Sequence, residues 1–260
     1  MAHLAPDWRD RFSLQGRKAR GTGASKGIGI GIAEDFAQAG ADIVAVARDE
    51  AGLAEAAALV ERHGRRCLRV PADMADPGST VAAARRALAE WGPIDILVNC
   101  AGLTRLAPAE RLTLEQWDEV MAVNLRAPFL LARELAPAMI AQRWGKVVMI
   151  SSQTGVIALQ DHAAYAASKG GLNALTKSLC AEWARHNVQV NAICPTVVMT
   201  PMGRAVWGTP EKGEPFRLAT PARRFAETVE IADAALFLAS DASAMINGDL
   251  LMVEGGFTSV

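Results

Sequence analysis

The stretch Thr22-Gly23-Ala24-Ser25-Lys26-Gly27-Ile28-Gly29 is a glycine-rich turn that leads into an apolar pattern at Ile32, Ala33 and Phe36. Glycines let backbone N–H groups approach a phosphate closely, and a helix N-terminus adds partial positive charge. From Gly23 the glycines run G-x-x-x-G-x-G rather than G-x-G-x-x-G, so alone the segment fits a structural strand-to-helix turn as well as a phosphate cradle. Its surroundings separate the two.

Outward from this turn, short β-branched runs alternate with Ala-rich helical patterns. Strands are expected at 43–47, 67–70, 94–99, 147–150, 188–193 and 250–253. Helices are expected at 53–63, closed by Gly64, and at 79–91, closed by Gly92. Thr113 and Gln116 form a capping box that opens a long helical region toward Arg143. The order predicts an α/β fold, a single doubly wound parallel sheet of about seven strands with helices on both faces. Residues 1–15 read as an N-terminal extension and residues 16–260 as one domain.

One strand must precede Thr22, yet Arg20 and Gly21 stand where a strand buried on both faces carries apolar, β-branched residues. Two explanations are open: a short strand from which Arg20 reaches solvent or a carboxylate, or an alteration of the native sequence.

The 260 residues are 51% apolar, enough to bury a substantial core without disulfides or a structural metal. Lys plus Arg (27) against Asp plus Glu (28) leaves a net charge of -1 and no basic block, which argues against nucleic acid and polybasic membrane attachment. No apolar run approaches the ~20 residues that span a bilayer. Asp7, Arg9, Asp10, Arg11, Arg17, Lys18 and Arg20 interrupt the N-terminal segment, so a cytoplasmic protein is expected. Cys67, Cys100, Cys180 and Cys194 are widely spaced, and His3, His63, His162 and His186 form no ligand cluster, so no metal site is expected.

The second strand ends Ala47-Arg48-Asp49, where a dinucleotide-binding unit meets the adenine ribose. A carboxylate at the strand end would suit the 2′-hydroxyl of NAD. With neutral Ala47, and with Arg48 and Lys26 available to a 2′-phosphate, NADP is favoured over NAD. Asp49 opposes this if it neutralises Arg48 or serves the ribose itself.

Tyr165 is the single tyrosine of the chain, and Lys169 follows at helical spacing on the same face. An ammonium near a phenol lowers its pKa toward a value useful for proton transfer, although Tyr-x-x-x-Lys is also an ordinary amphipathic helix surface. Ser152 lies just after the strand 147–150, where open α/β sheets bind ligands, and its hydroxyl is suited to polarise a carbonyl.

With these residues in place the chain resembles the short-chain dehydrogenase/reductase family from Gly16 to its end. The matching motifs are residues 22–29, Asp73, Asn99-Cys100-Ala101-Gly102, Asn124, Ser152, Tyr165 with Lys169, and Pro195 with Thr200. The resemblance implies a Rossmann-type fold, a homotetramer and a catalytic tetrad of Asn124, Ser152, Tyr165 and Lys169. Tyr165 would be the general acid or base, Ser152 would polarise the carbonyl, Lys169 would hold the nicotinamide ribose, and Asn124 would position a relay water. Cofactor contacts would come from Gly23, Ser25, Lys26, Gly27, Ile28 and Gly29, and at the adenosine half from Arg48, Asp73, Met74 and Asn99. Ala101, Gly102, Pro195, Val198 and Thr200 would complete the cofactor site. Three departures stand out: Cys100 in place of a second Asn, Thr196 in place of Gly after Pro195, and Arg20-Gly21 in the first strand.

Around the reacting carbonyl, Gln153, His162 and Trp207, with a lid at residues 199–220, are similar to L-xylulose reductases and related sugar or polyol dehydrogenases. A sugar, polyol or small dicarbonyl is therefore the expected substrate. The rival enzyme readings are reduction of 3-oxoacyl carrier protein, with Arg126 and Arg133 as docking cations, and NAD-dependent polyol oxidation. A nucleotide-sensing binding protein is the non-enzymatic rival, and it has no need of a tuned Tyr165.

Overall fold

In the computed structural model, which describes residues 7–260, the strands form one parallel sheet in the order β3-β2-β1-β4-β5-β6-β7. The first crossover unit runs β1 (Lys18–Thr22), α1 (Gly27–Gln38), β2 (Asp42–Ala47), α2 (Glu50–Arg62) and β3 (Cys67–Pro71). After α3 (Pro77–Trp91) the chain returns to the middle of the sheet as β4 (Ile96–Asn99), then α4 (Leu114–Met121), α5 (Ala127–Gln142) and β5 (Gly145–Ile150). It ends with α6 (Ala163–Trp183), β6 (Val188–Pro195), α7 (Pro201–Trp207), α8 (Pro210–Ala219), α9 (Thr228–Ala239) and β7 (Leu250–Val253).

Alternation along the strands divides the core into two layers. Ile43, Ala45, Ile96, Val98 and Val148 pack against Ile32 and Phe36 of α1, Leu53 of α2 and Ile231 of α9. Val44, Val46, Leu97, Val147 and Met149 pack on the opposite face with Ala84 of α3, Leu131 of α5 and Leu172 of α6. Every residue of β2, β5 and β6 is buried, as expected for strands covered on both faces, including the polar Asp42, Lys146, Gln189 and Asn191 among their apolar residues.

The expected strand at 94–99 starts at Ile96, after a bend at Asp95, whose N–H donates to the Lys18 carbonyl at 3.0 Å. The long helical region opens with the expected capping box at Thr113 but is interrupted by a π turn at Ala122–Arg126. Pro128 cannot donate to the Asn124 carbonyl four residues back, so the helical register slips at Asn124. In the segment read as an extension, Trp8–Phe12 is a 3₁₀ helix, and the buried Leu14 donates its N–H to the Ala39 carbonyl at 2.8 Å. The first six residues of that segment, with His3, lie outside the described residues.

The first strand exists, and Arg20 reaches neither solvent nor a carboxylate. It pairs in register with Val44 and Leu97, which places it in the α3, α5 and α6 layer. There it is 0% exposed, and Nε, NH1 and NH2 have no partner among the described residues. Burial pulls its pKa down to about 9. Gly21 faces the opposite layer, where a Cβ would meet nothing within 4 Å and a void of about 10 Å³ lies against Ile32, Phe36 and Val98.

Candidate active site

A cleft of about 360 Å³ opens above the C-terminal ends of the strands and spans the point where the sheet order reverses between β1 and β4. Such a reversal leaves a crevice between loops that diverge to opposite faces. The glycine-rich turn forms one wall. Gly23 and Gly27 have φ of 67° and 59°, in the left-handed region that favours glycine. A Cβ on Gly29 would lie 2.2 Å from the Gly23 carbonyl oxygen, so the turn closes on itself only without that atom. Lys26, at the N-cap of α1, makes no side-chain cap, which leaves the first-turn N–H groups of α1 for a ligand. The Thr22 hydroxyl accepts from the Cys100 and Ala101 N–H groups at 3.0 Å each, tying the loop after β4 to the turn.

At the adenosine end, Arg48 lies exposed at the cleft rim. The Asp49 carboxylate accepts from the Ala51 N–H at 3.1 Å as the N-cap of α2, so it is engaged by the helix rather than by Arg48. Asp73 and Met74 line the cleft, and the Asp73 backbone is held by a 2.9 Å hydrogen bond to Ser79 Oγ. Asn99 is placed differently from expectation: it is buried off the cleft, and its amide donates to Met149 Sδ at 3.2 Å. As the last residue of β4 its side chain follows strand alternation onto the core face beside Met149.

Ser152, Tyr165 and Lys169 meet at the centre of the cleft. Ser152, leaving β5, accepts from the Thr154 N–H at 3.1 Å, and its hydroxyl donates to Thr154 Oγ1 at 3.2 Å. Lys169 Nζ donates to the Ile150 carbonyl at 2.7 Å and lies 5.6 Å from the Tyr165 ring centre. Burial lowers the Lys169 pKa to about 8. The phenol shifts opposite to the expected direction: burial raises its pKa, and the hydrogen bond with Ser152 lowers it only in part. Desolvation of the phenolate outweighs that hydrogen bond, and the nearby Cys100 adds to the rise.

Asn124 does not line the cleft. It is fully buried in the π turn, where its side chain accepts from the Leu103 N–H at 3.0 Å and donates to the Leu103 carbonyl at 2.9 Å and to Ser168 Oγ at 3.0 Å. A Cβ at Gly102 would stand 3.4 Å from Asn124 Oδ1 and 3.7 Å from Lys169 Nζ, so Asn124 backs the loop beneath the reacting groups.

At the far end, Gln153, His162 and Trp207 line the same cleft, and the buried Gln153 Oε1 has no partner among the described residues. His162 Nδ1 lies 2.6 Å from the Gln160 carbonyl, which can only accept, so Nδ1 carries the proton and Nε2 of the neutral ring is an acceptor. The indole of Trp207 stacks beside the imidazole with ring centres 6.3 Å apart. Thr104, Thr196 and Phe216 also line the cleft, and the Thr104 and Thr196 hydroxyls are buried without partners among the described residues. Thr196 follows Pro195 and was visible as a departure, whereas Thr104 and Phe216 carry no local motif and are brought in by the tertiary fold.

Residues 21–258 match the family described as enoyl-(acyl carrier protein) reductase, and the chain belongs to the short-chain dehydrogenase/reductase family. It is an oxidoreductase acting on CH–OH donors with a nicotinamide dinucleotide. Among its relatives, the chain is 46% identical over 248 residues to D-threitol dehydrogenase of Mycolicibacterium smegmatis, covering 95% of each protein. It is 40% identical over 245 residues to human L-xylulose reductase, covering 94% of this chain and 97% of the relative. The crystal structure of a gluconate 5-dehydrogenase from Burkholderia cenocepacia, in complex with NADP and tartrate, superposes with a TM-score of 0.92 at 39% identity, covering 97% of this chain and 99% of that one. Among the described residues no helix is long and apolar enough to cross a membrane, and no cluster of three or more His, Cys, Asp or Glu residues forms a metal site.

Proposed function

We propose that this chain interconverts a ketone and a secondary alcohol of a sugar, polyol or small dicarbonyl, with NADP(H) as its coenzyme. The observation that carries the reading is one cleft end where Ser152, Tyr165 and Lys169 adjoin the partnerless Gln153 Oε1 and the acceptor nitrogen of His162. A buried acceptor without a donor is costly, and a substrate hydroxyl would relieve that cost at Gln153 Oε1.

The coenzyme fits the residues present, since the left-handed glycines, the uncapped N-terminus of α1 and the exposed Arg48 form a cradle graded from phosphate to 2′-phosphate. When bound it supplies or accepts the hydride. Gly23, Ser25, Lys26, Gly27, Ile28 and Gly29 would hold its pyrophosphate, with Asp73 and Met74 beside the adenosine. Ala101, Gly102, Pro195, Val198, Thr200 and Lys169 would hold the nicotinamide half. The engagement of Asp49 as a helix cap supports NADP over NAD, because it leaves Arg48 free of its nearest carboxylate.

In reduction the Tyr165 phenol delivers its proton to the carbonyl oxygen and is left as phenolate; in oxidation the phenolate takes the alcohol proton and becomes the phenol again. The raised phenol pKa keeps the proton on Tyr165 near neutral pH. Ser152 donates to the same oxygen by turning its hydroxyl from Thr154, exchanging one 3.2 Å hydrogen bond for another. Asn124 holds the backing loop through Leu103, and residues 199–220 serve as the lid that carries Trp207 over the substrate.

The test combines NADPH and NADH titration with turnover of ketoses, α-dicarbonyls and 3-oxoacyl thioesters. Tyr165→Phe should keep coenzyme binding and lose roughly 10²–10⁴ in rate. Undiminished turnover by this variant refutes the mechanism, and absence of turnover by either protein favours a nucleotide sensor. Activity on thioesters alone would move the substrate to carrier-bound acyl chains. Against that outcome, Arg133 pairs with Glu134 at 2.9 Å, so one of the two candidate docking cations is already matched by a carboxylate. A cytoplasmic homotetramer is the proposed assembly, checked by fractionation and by sedimentation of the purified protein.

A further inference from the structure

The chain's last turn lies against the proposed lid. Glu254, buried after β7, accepts from the Gly256 N–H at 3.1 Å and the Thr258 N–H at 2.7 Å, which curls the backbone through Gly255 and Gly256 at φ of 67° and 89°. A Cβ on Gly255 would lie 2.9 Å from Ala222 Cβ, one on Gly256 would lie 3.1 Å from Pro221 Cγ, and the Ala222 N–H donates to the Gly255 carbonyl at 3.0 Å. The turn is therefore docked where the lid leaves α8.

From this dock a continuous run of rings enters the site. Phe257 stacks on Phe216 with centres 4.6 Å apart and planes 12° apart, and Phe216 meets Trp207 at 4.6 Å. Trp207 stands 6.3 Å from His162, which stands 6.2 Å from Tyr165. Within the lid α7 buries no residue, and α8 buries only Gly213 and Phe216, so Phe216 is the single large buried anchor on these two helices.

We propose that the C-terminal turn is part of the substrate site, with Phe257 acting through Phe216 as a positioning residue that holds Trp207 against His162 and so sets substrate affinity. The inference rests on the reading of Trp207 as a wall of the substrate subsite. Neither phenylalanine takes part in the chemistry, and the effect belongs in KM rather than kcat.

The experiment is a double-mutant cycle in the full-length protein, with Phe257→Ala, Trp207→Ala and their combination, assayed with the best substrate of the panel above. Trp207→Ala should raise KM about tenfold, the scale of one lost aromatic contact with its burial. Phe257→Ala should raise KM severalfold with kcat and NADPH affinity unchanged, Phe257→Leu should restore most of the loss, and Phe257→Ala should add nothing in the Trp207→Ala background. If Phe257→Ala does not fold, Phe216→Leu supplies the same cycle. A KM effect of Phe257→Ala that persists in full without Trp207, or no effect beside a clear one for Trp207→Ala, overturns the inference alone. An unchanged KM in Trp207→Ala overturns the wall reading and the inference together.

Discussion

Replacing Arg20 with leucine should stabilise the protein. In the folded state the guanidinium is 0% exposed, with all three nitrogens unpartnered among the described residues, and burial lowers its pKa to about 9. Near neutral pH it is still charged, so the folded chain carries the charge without solvent or counter-ion. At 1.36 kcal/mol per pKa unit that burden is on the order of 3–5 kcal/mol, the scale found for an uncompensated buried charge. Leucine packs against Val44 and Leu97, and its shorter chain gives back about 1 kcal/mol as unfilled space. The expected gain is a melting temperature higher by on the order of 10 °C. The linkage sign provides a second reading. A cation with a depressed folded pKa destabilises fully below that value and is relieved as pH rises through it, because the unfolded chain then binds more protons. Wild-type stability should therefore gain on Arg20→Leu stability as pH rises above about 9. Thermal and urea unfolding followed by circular dichroism measures both effects, and equal or lower stability of Arg20→Leu near neutral pH would refute the reasoning.

Gly21→Val places a side chain where a Cβ meets nothing within 4 Å, and it should add about 1–2 kcal/mol of stability from strand preference and partial filling of the void, read by the same unfolding curves. Gly29→Ala should do the reverse, since its Cβ would lie 2.2 Å from a backbone oxygen; NADPH binding should weaken more than tenfold by fluorescence titration, consistent with an opened turn. Arg48→Ala should weaken NADPH roughly 10- to 100-fold and leave NADH within a factor of about two, since only the former carries the 2′-phosphate. Equal losses for the two coenzymes would remove Arg48 from the 2′-phosphate role.

The fold was legible where one residue type has one physical use. The glycine-rich turn, the capping box at Thr113 and the β-branched runs report local backbone demands, and they appear in the structure close to their expected places. Arg20 was not legible, because its burial is imposed by Val44 and Leu97 on the strands to either side and not by its own neighbours in sequence. Lys146 shows the same effect in β5, being 1% exposed with its Nζ 3.4 Å from Ser243 Oγ and 5.9 Å from the Trp144 ring centre. In the site, spacing and position after a strand singled out Ser152, Tyr165 and Lys169, but it took the family resemblance to raise Tyr-x-x-x-Lys above an ordinary helix surface; the structure brings the three to one cleft. Asn99 and Asn124 have suitable chemistry, but their side-chain direction is set by strand alternation and by the register slip before Pro128, neither of which composition reveals. Thr104 and Phe216 were silent because an isolated Thr or Phe looks the same whether it faces a cleft or a core.

The contrast between the sheet and the lid bears on how the chain meets a protease. Opening β5 or β6 exposes strands buried at every residue, which approaches the cost of unfolding the whole chain. Opening α7 and α8 exposes little beyond Phe216, and these helices carry Arg204, Lys212 and Arg217. Trypsin should therefore nick the native protein in the lid long before the sheet is touched, and a ligand that recruits Trp207 should slow that cut without altering global unfolding. The proposed lid would, in this sense, report occupancy without a label.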